Sequence, residues 1–255
     1  MIKGWDDAPT ALVQSSDDPK QVTFIYPYYR NAKFLSKQIA GWEAYSQDVK
    51  NYLRVIIVDD GSPRGDDAEA VLKPIAWGLP IDISLFRIDV DVRFNWLAAR
   101  NIAMHHASAG WCLGTDMDHV VTDKVARSLV YGKHDPKCIY RFSRVEHTGA
   151  VIHSHPNSWF MTKKMYWKFG GYDEALSGLY GTDGEARRRW VQTATIRTLK
   201  EQLVRYEYVD DSSTTGYKRK LPSDNPSVAK MLAARGKNWK PKILSFPYHE
   251  VTLHA

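Results

Sequence analysis

The 255-residue chain reads as an α/β domain with a mainly parallel central sheet. Three observations predict this. Short β-branched or aromatic runs alternate with stretches of helical spacing. Polar segments follow the apolar runs, where open α/β sheets gather their ligands, outside the carboxyl ends of the strands. Gly and Pro fall in local turns, with no repeat, low-complexity block or linker, so one domain over residues 1–255 is expected.

Taken in order, residues 1–20 are polar and broken by Pro, and are expected to be irregular. Strands are expected at Val22–Tyr26, Arg54–Asp59, Ile81–Ile88 and Trp111–Thr115. In "FNWLAARNIAMHHASAG", Phe94, Leu97, Ala98 and Ile102 share one helical face and Gly110 offers a C-terminal stop. "YPYYRN", "VDDGSP" and "GTDMDHVV" follow the first, second and fourth strands. No G-x-G-x-x-G fingerprint or Walker A loop is present, which removes the ordinary dinucleotide and P-loop readings.

Composition narrows the class further. Hydrophobic residues at 44% and charged residues at 25% suit a globular protein rather than a disordered one. The chain has no signal-peptide core and no apolar run of membrane-spanning length, so a soluble, cytoplasmic protein without membrane insertion is expected. Cys112 and Cys138 have neither metal-ligand spacing nor a disulfide framework and read as buried thiols. Residues 181–255 hold 14 Lys/Arg against 8 Asp/Glu, leaving 21 of each in residues 1–180, so the whole +6 excess lies in the last third. No sequence feature sets an oligomeric state.

Asp116 and Asp118 end an apolar strand one residue apart, which in extended backbone aims both carboxylates to one side. Their repulsion is relieved by a divalent cation, Mg²⁺ or Mn²⁺ being suited to such oxygen donors. A solvated turn is the plainer reading of an isolated D-x-D.

Other segments favour the metal. "VIIVDDGSP" resembles the second-strand signature of the GT-A glycosyltransferases, in particular the family 2-like enzymes that use nucleotide-sugar donors. "VTFIYPYYRN", "AARNIAMHHASAGW", "LGTDMDHVV", "FMTKKMYWKFGGYDEAL" and "GTDGEARRR" resemble that family's further motifs, in order, over roughly residues 22 to 190. The resemblance implies a GT-A (Rossmann-like) α/β/α sandwich, a nucleoside-diphosphate sugar as donor, UDP favoured, and Mn²⁺ or Mg²⁺ as cofactor. It also implies roles. Pro27, Tyr28, Tyr29, Asp59 and Asp60 would line the nucleotide pocket, and Arg100 would lie near the nucleotide or its phosphates. Asp116 would touch ribose or metal, and Asp118 would be the principal metal ligand. Asp59 and Asp60 also read as an Asp-Gly-Ser turn.

Asp183 is the candidate general base, and with it a single displacement inverts the anomeric carbon; a retaining route stays open. The chain departs from the family where Thr182 replaces the usual Glu. Thr182-x-x-Glu185 also reads as a capping box with Asp183 in the first helical turn. Glu185, Asp173 and Glu174 are the fallback carboxylates. His249, in "FPYHEVTLHA", is a candidate third metal ligand or a tail histidine. His153 and His155 read as strand-end residues or as a border of the acceptor site.

The basic segments "ARRRW", "GYKRKLP" and "ARGKNWKPK" interleave cations with Trp190, Tyr217 and Trp239, giving residues 191–255 a possible acceptor-binding role. A hydroxymethylated pyrimidine in DNA is the leading specific acceptor, with base flipping or single-strand binding required. Glycan, lipid or protein acceptors are the alternatives. A non-catalytic nucleic-acid-binding protein on the same fold is the alternative of another class.

Overall fold

The computed structural model describes residues 2–11, 14, 19–179, 181–206 and 226–254. Its strands are β1 (Thr10–Ala11), β2 (Val22–Tyr28), β3 (Leu53–Asp59), β4 (Asp82–Ile88), β5 (Trp111–Gly114), β6 (His119–Val120), β7 (Cys138–Glu146), β8 (Val151–Ile152), β9 (Trp159–Thr162), β10 (Thr195–Arg205) and β11 (Tyr248–Val251). The helices are α1 (Ala32–Glu43), α2 (Gln47–Lys50), α3 (Ala68–Leu72), α4 (Trp96–His106), α5 (Asp123–Tyr131), α6 (Lys163–Lys168), α7 (Asp183–Val191) and α8 (Pro226–Ala233). No described helix is long and apolar enough to cross a membrane.

The strands form one sheet in the order β1-β10-β7-β9-β5-β2-β3-β4-β11, with β6 and β8 attached beside β10 and β7. β5, β2, β3 and β4 are mutually parallel, as expected. β9 runs against both β5 and β7, and β11 runs against β4, so the sheet is mixed at these places. The four expected strands form within two residues of their anticipated ends.

Strand alternation divides the core between two faces. Phe24, Tyr26, Val55 and Ile57 pack on one side with Leu35, Trp42 and Leu129 of α1 and α5. Ile25, Ile56 and Val58 pack on the other with Leu97, Ile102, Trp159 and Trp190. β2, β3 and β5 are buried on both faces, which is why their runs are largely apolar.

Three local expectations differ. Phe94 precedes α4 with φ 53, so it is buried from a left-handed turn rather than from the helical face. Gly110 is not the helix stop: α4 is capped at Ala107, and Gly110, φ 134, turns the chain into β5. The first residues are not wholly irregular, since β1 pairs with β10 and Trp5 is fully buried against Trp190.

α1 bears directly on the site. Asn31 caps it by accepting from the Phe34 amide, and the helix buries Gln38 alongside its apolar face. Gln38 Nε2 donates to the carbonyls of Met117 and His119 at 2.8 and 2.9 Å, tying the loop after β5 to a helix almost 80 residues away in sequence. That loop is a turn, closed by His119 N–H to the Asp116 carbonyl. Asp116 and Asp118 therefore do not share one side of an extended strand.

Candidate active site

The carboxyl ends of β2, β3 and β5 open on a cleft of about 370 Å³. Pro27, Tyr28, Tyr29, Asp60, Asp116, Asp118 and Asp183 line it, together with Trp96, Arg144, His155, Asn157 and Arg205.

At one end stand the first two strand termini. Tyr28 donates its hydroxyl to the Asp66 carbonyl at 2.8 Å, and Tyr29 to Asp91 at 3.2 Å. Asp60 is 3% exposed; its Oδ2 accepts from the Asn95 amide at 3.0 Å, while its Oδ1 has no partner among the described residues. Burial, reinforced by the neighbouring Asp59 charge, holds its pKa well above the carboxylate norm. Asp59 does other work: it accepts from the amides of Ser62 and Ala68 at 2.7 and 2.8 Å and faces Arg87, so it fixes the loop instead of lining the cleft. Gly61 permits the turn, for a Cβ there would lie 2.6 Å from the Val90 carbonyl oxygen.

The centre is a charge network. Asp116 Oδ1 accepts from Arg100 Nη2 at 2.5 Å, and its Oδ2 is 3.2 Å from His155 Nδ1. Arg100 is fully buried, is not among the residues lining the cleft, and reaches it through its contact with Asp116. Asp118 Oδ1 bonds His119 Nδ1 at 2.6 Å and its Oδ2 is 3.8 Å from Arg205 Nε. Burial opposes the Asp118 charge, but His119, His155 and Arg205 outweigh it and hold the carboxyl below its usual range. Burial pushes His155 down to about 4, leaving a neutral imidazole with a lone pair at neutral pH. Arg144 Nη1 lies 2.9 Å from His119 Nε2.

Across the cleft Asp183 begins α7 and accepts from Asn157 Nδ2 at 3.0 Å. Burial raises its pKa, the Asp116 charge adds to this, and Asn157, Arg187 and Arg100 oppose it. The anticipated capping box does not form. Thr182 makes no side-chain cap, its hydroxyl lacks a partner among the described residues, and Glu185 binds Arg189 and Arg235 instead.

Among the described residues, the His, Asp, Glu and Cys donors close enough to share one ion are Asp116, His119 and His155, within 4.8 Å of one another. Asp118, expected as principal ligand, lines the cleft outside this group and bonds His119, which is itself fully buried. His249 is absent from the group. It lies on β11, four strands from β5, a lateral offset of roughly 19 Å at ~4.8 Å per strand, and bonds Asp89 at 2.6 Å. The fallback acids are committed elsewhere. Asp173 pairs with Arg235, and Glu174 accepts from Asn101, Ser245 and the Leu244 amide. His153 is exposed, its carbonyl accepting from Arg144.

Sequence reasoning did not single out His119, Arg144, Asn157 or Arg205. Only His119 carried a signal, as the imidazole directly following the acidic pair. The basic tail also changes in character. Trp190 is fully buried between Trp5, Trp159 and Tyr172 and presents no stacking face. Trp239 is covered by Arg235 at 3.6 Å, and Tyr217 with "GYKRKLP" lies outside the described residues.

Similar structures share this architecture. The chain is 11% identical to Staphylococcus aureus TarS 1–349 in complex with UDP-GlcNAc, covering 74% of this chain and 59% of that one, with a TM-score of 0.59. It is 18% identical to a Pyrobaculum calidifontis mannosyltransferase in complex with GDP-Man and Mn²⁺, covering 84% and 62%, TM-score 0.57. For GalNAc-T7 with UDP, GalNAc and Mn²⁺ the identity is 10%, the coverage 75% and 44%, and the TM-score 0.53. The chain thus spans less than two thirds of each of these proteins. No curated protein sequence matches it. The fold is that of the GT-A glycosyltransferases. With residues 23–187 matching the family model described as Glycosyl transferase family 2, the chain belongs to that glycosyltransferase family.

Proposed function

We propose that the cleft moves a sugar from a nucleoside-diphosphate sugar to an acceptor hydroxyl, with inversion. One observation carries this reading: a single cleft joins a buried carboxylate with a free oxygen, a centre of paired carboxylate, imidazole and guanidinium groups, and a half-buried acid of raised pKa. Asp60 Oδ1 supports a base-recognition role, since a buried acceptor without a partner costs stability that a ligand N–H recovers. Tyr28, Tyr29 and Pro27 supply the flanking surface. Arg144 and Arg205 line the same cleft as Asp60 and Asp183 and would take up diphosphate charge. The solved structures with UDP-GlcNAc, GDP-Man and Mn²⁺ support this donor class and a divalent cation, UDP being favoured on the sequence resemblance.

In the transfer, the acceptor O–H proton passes to Asp183 while the acceptor oxygen bonds the anomeric carbon. The bond from that carbon to the phosphate oxygen breaks, and its electron pair leaves with the nucleoside diphosphate. A bound Mn²⁺ or Mg²⁺ would supply charge neutralisation to that leaving group. The raised pKa makes Asp183 the stronger base, and activity rises with pH as it deprotonates, above the ordinary carboxylate range.

Asp183→Asn should leave donor binding intact and lower kcat about 10²–10⁴-fold. The assay is nucleoside-diphosphate release from a donor panel with Mn²⁺ or Mg²⁺, with mass spectrometry of the products. Wild-type turnover in Asp183→Asn removes that residue as base; no release from any donor by the parent chain favours a non-catalytic binding protein.

For the acceptor, exposed Lys237, Lys240 and Lys242 beside Trp239 favour a polyanion, and a hydroxymethylated pyrimidine in DNA is the specific form we put forward. The same assay offers hydroxymethylated DNA alongside glycans. Transfer to glycans alone rejects the DNA acceptor.

A further inference from the structure

The geometry points to a metal centre built on two imidazoles: we propose that Asp116, His119 and His155 hold the cation, that Asp118 acts only through His119, and that Arg144 occupies the His119 lone pair until the cation displaces it.

A guanidinium has donors and no acceptor, so the 2.9 Å contact from Arg144 Nη1 makes His119 Nε2 the acceptor. The His119 proton is then on Nδ1, where it donates to Asp118 Oδ1 at 2.6 Å. This carboxylate–imidazole pairing is the arrangement that aims a ligating histidine at a metal and raises its basicity. The second imidazole is poised differently. His155 Nδ1 receives the Asn157 amide at 3.3 Å yet lies 3.2 Å from Asp116 Oδ2. As an acceptor, that nitrogen gains nothing from a facing carboxylate oxygen. A cation between them would take the Nδ1 lone pair in place of the long Asn157 amide contact and give the Asp116 oxygen a positive charge to face, and neighbouring donors on one ion at ~2.1 Å are roughly 3.0–3.4 Å apart. Asp116 is held to this task from behind by Arg100.

Arg144 then has two states. Without the ion its charge fills the place of the cation beside His119; with the ion it is released into the cleft that it already lines, toward the donor's diphosphate. Only this last step rests on the transferase reading. A donor set of two nitrogens and one oxygen also disfavours Mg²⁺ relative to Co²⁺ or Mn²⁺.

Co²⁺ titration of the full chain without nucleotide, followed by visible absorption and calorimetry, tests the centre, with a melting curve on each variant to confirm folding. His155→Asn, at a partly exposed position, should weaken Co²⁺ at least about tenfold, and Asp118→Asn about 10–100-fold through misdirection of His119. Mg²⁺ should bind at least about tenfold more weakly than Co²⁺. Arg144→Met should bind Co²⁺ more tightly than the parent, and in the presence of Co²⁺ bind UDP more weakly. Parental Co²⁺ affinity in His155→Asn, or in Arg144→Met, overturns the proposal. Because no donor is present in the metal titration, a chain that binds Co²⁺ in this way but releases no nucleoside diphosphate sinks the transferase reading alone.

Discussion

Adjacent residues of identical type take opposite roles here. Asp59 satisfies both oxygens on loop amides, while Asp60 leaves one oxygen free at the cleft wall. The buried Asp60 charge is costly, and its sign can be followed with pH. A carboxyl whose folded pKa is raised binds its proton more tightly in the folded chain. Stability is thus greatest below its unfolded pKa and falls as pH rises through the folded one. Asp60→Asn retains an oxygen for the Asn95 amide and carries no charge. Its melting temperature should exceed that of the parent at pH 7 and converge with it in acid, while donor affinity drops. A variant no more stable than the parent at pH 7 contradicts the raised pKa of Asp60.

Elements bring these side chains together through contacts remote in sequence. The turn carrying Asp116 and Asp118 is anchored by Gln38 of α1, and Asp183 of α7 is steadied by Asn157 just before β9. Gln38→Ala strands two buried carbonyls at roughly 1–3 kcal/mol each, and loosens the turn that presents the acids. Denaturant unfolding should show the loss, and metal affinity should fall although Gln38 contacts no donor. Unaltered metal affinity would show that the turn holds its shape unaided. The small residue at the end of β5 has a similar logic, since a Cβ on Gly114 would meet the Trp159 ring at 2.4 Å.

Across the whole molecule, residues toward both ends of the chain, Trp5 on one side and Leu232, Leu244 and Phe246 on the other, pack on the face opposite α1. Trp5 and Trp190 meet at 5.9 Å, and β1 extends the sheet beyond β10. The basic tail is correspondingly more structural than its composition implies. Arg189 and Arg235 converge on Glu185, and Arg235 also binds Asp173. Trp190→Ala should cost about 3–5 kcal/mol through the cavity it leaves. Trp190→Phe should cost far less, because the indole N–H has no partner among the described residues. Near-parental stability of Trp190→Ala by calorimetry would place that ring outside the core.

The sequence by itself determined the parallel strands, because burial on both faces demands unbroken apolar runs and these are local properties. It also determined where the acids emerge, since a polar run after a buried strand has to leave the sheet at its carboxyl end. The order of motifs sufficed to indicate the family. Tertiary structure alone decided which acid faces the cleft, that Arg100 serves Asp116 from behind, and that His249 lies four strands away from the centre. It also brought His155, Arg144 and Asn157 to the same cleft as Asp116. Those outcomes depend on loop paths set by hydrogen bonds between distant segments, and no spacing within a single segment encodes them.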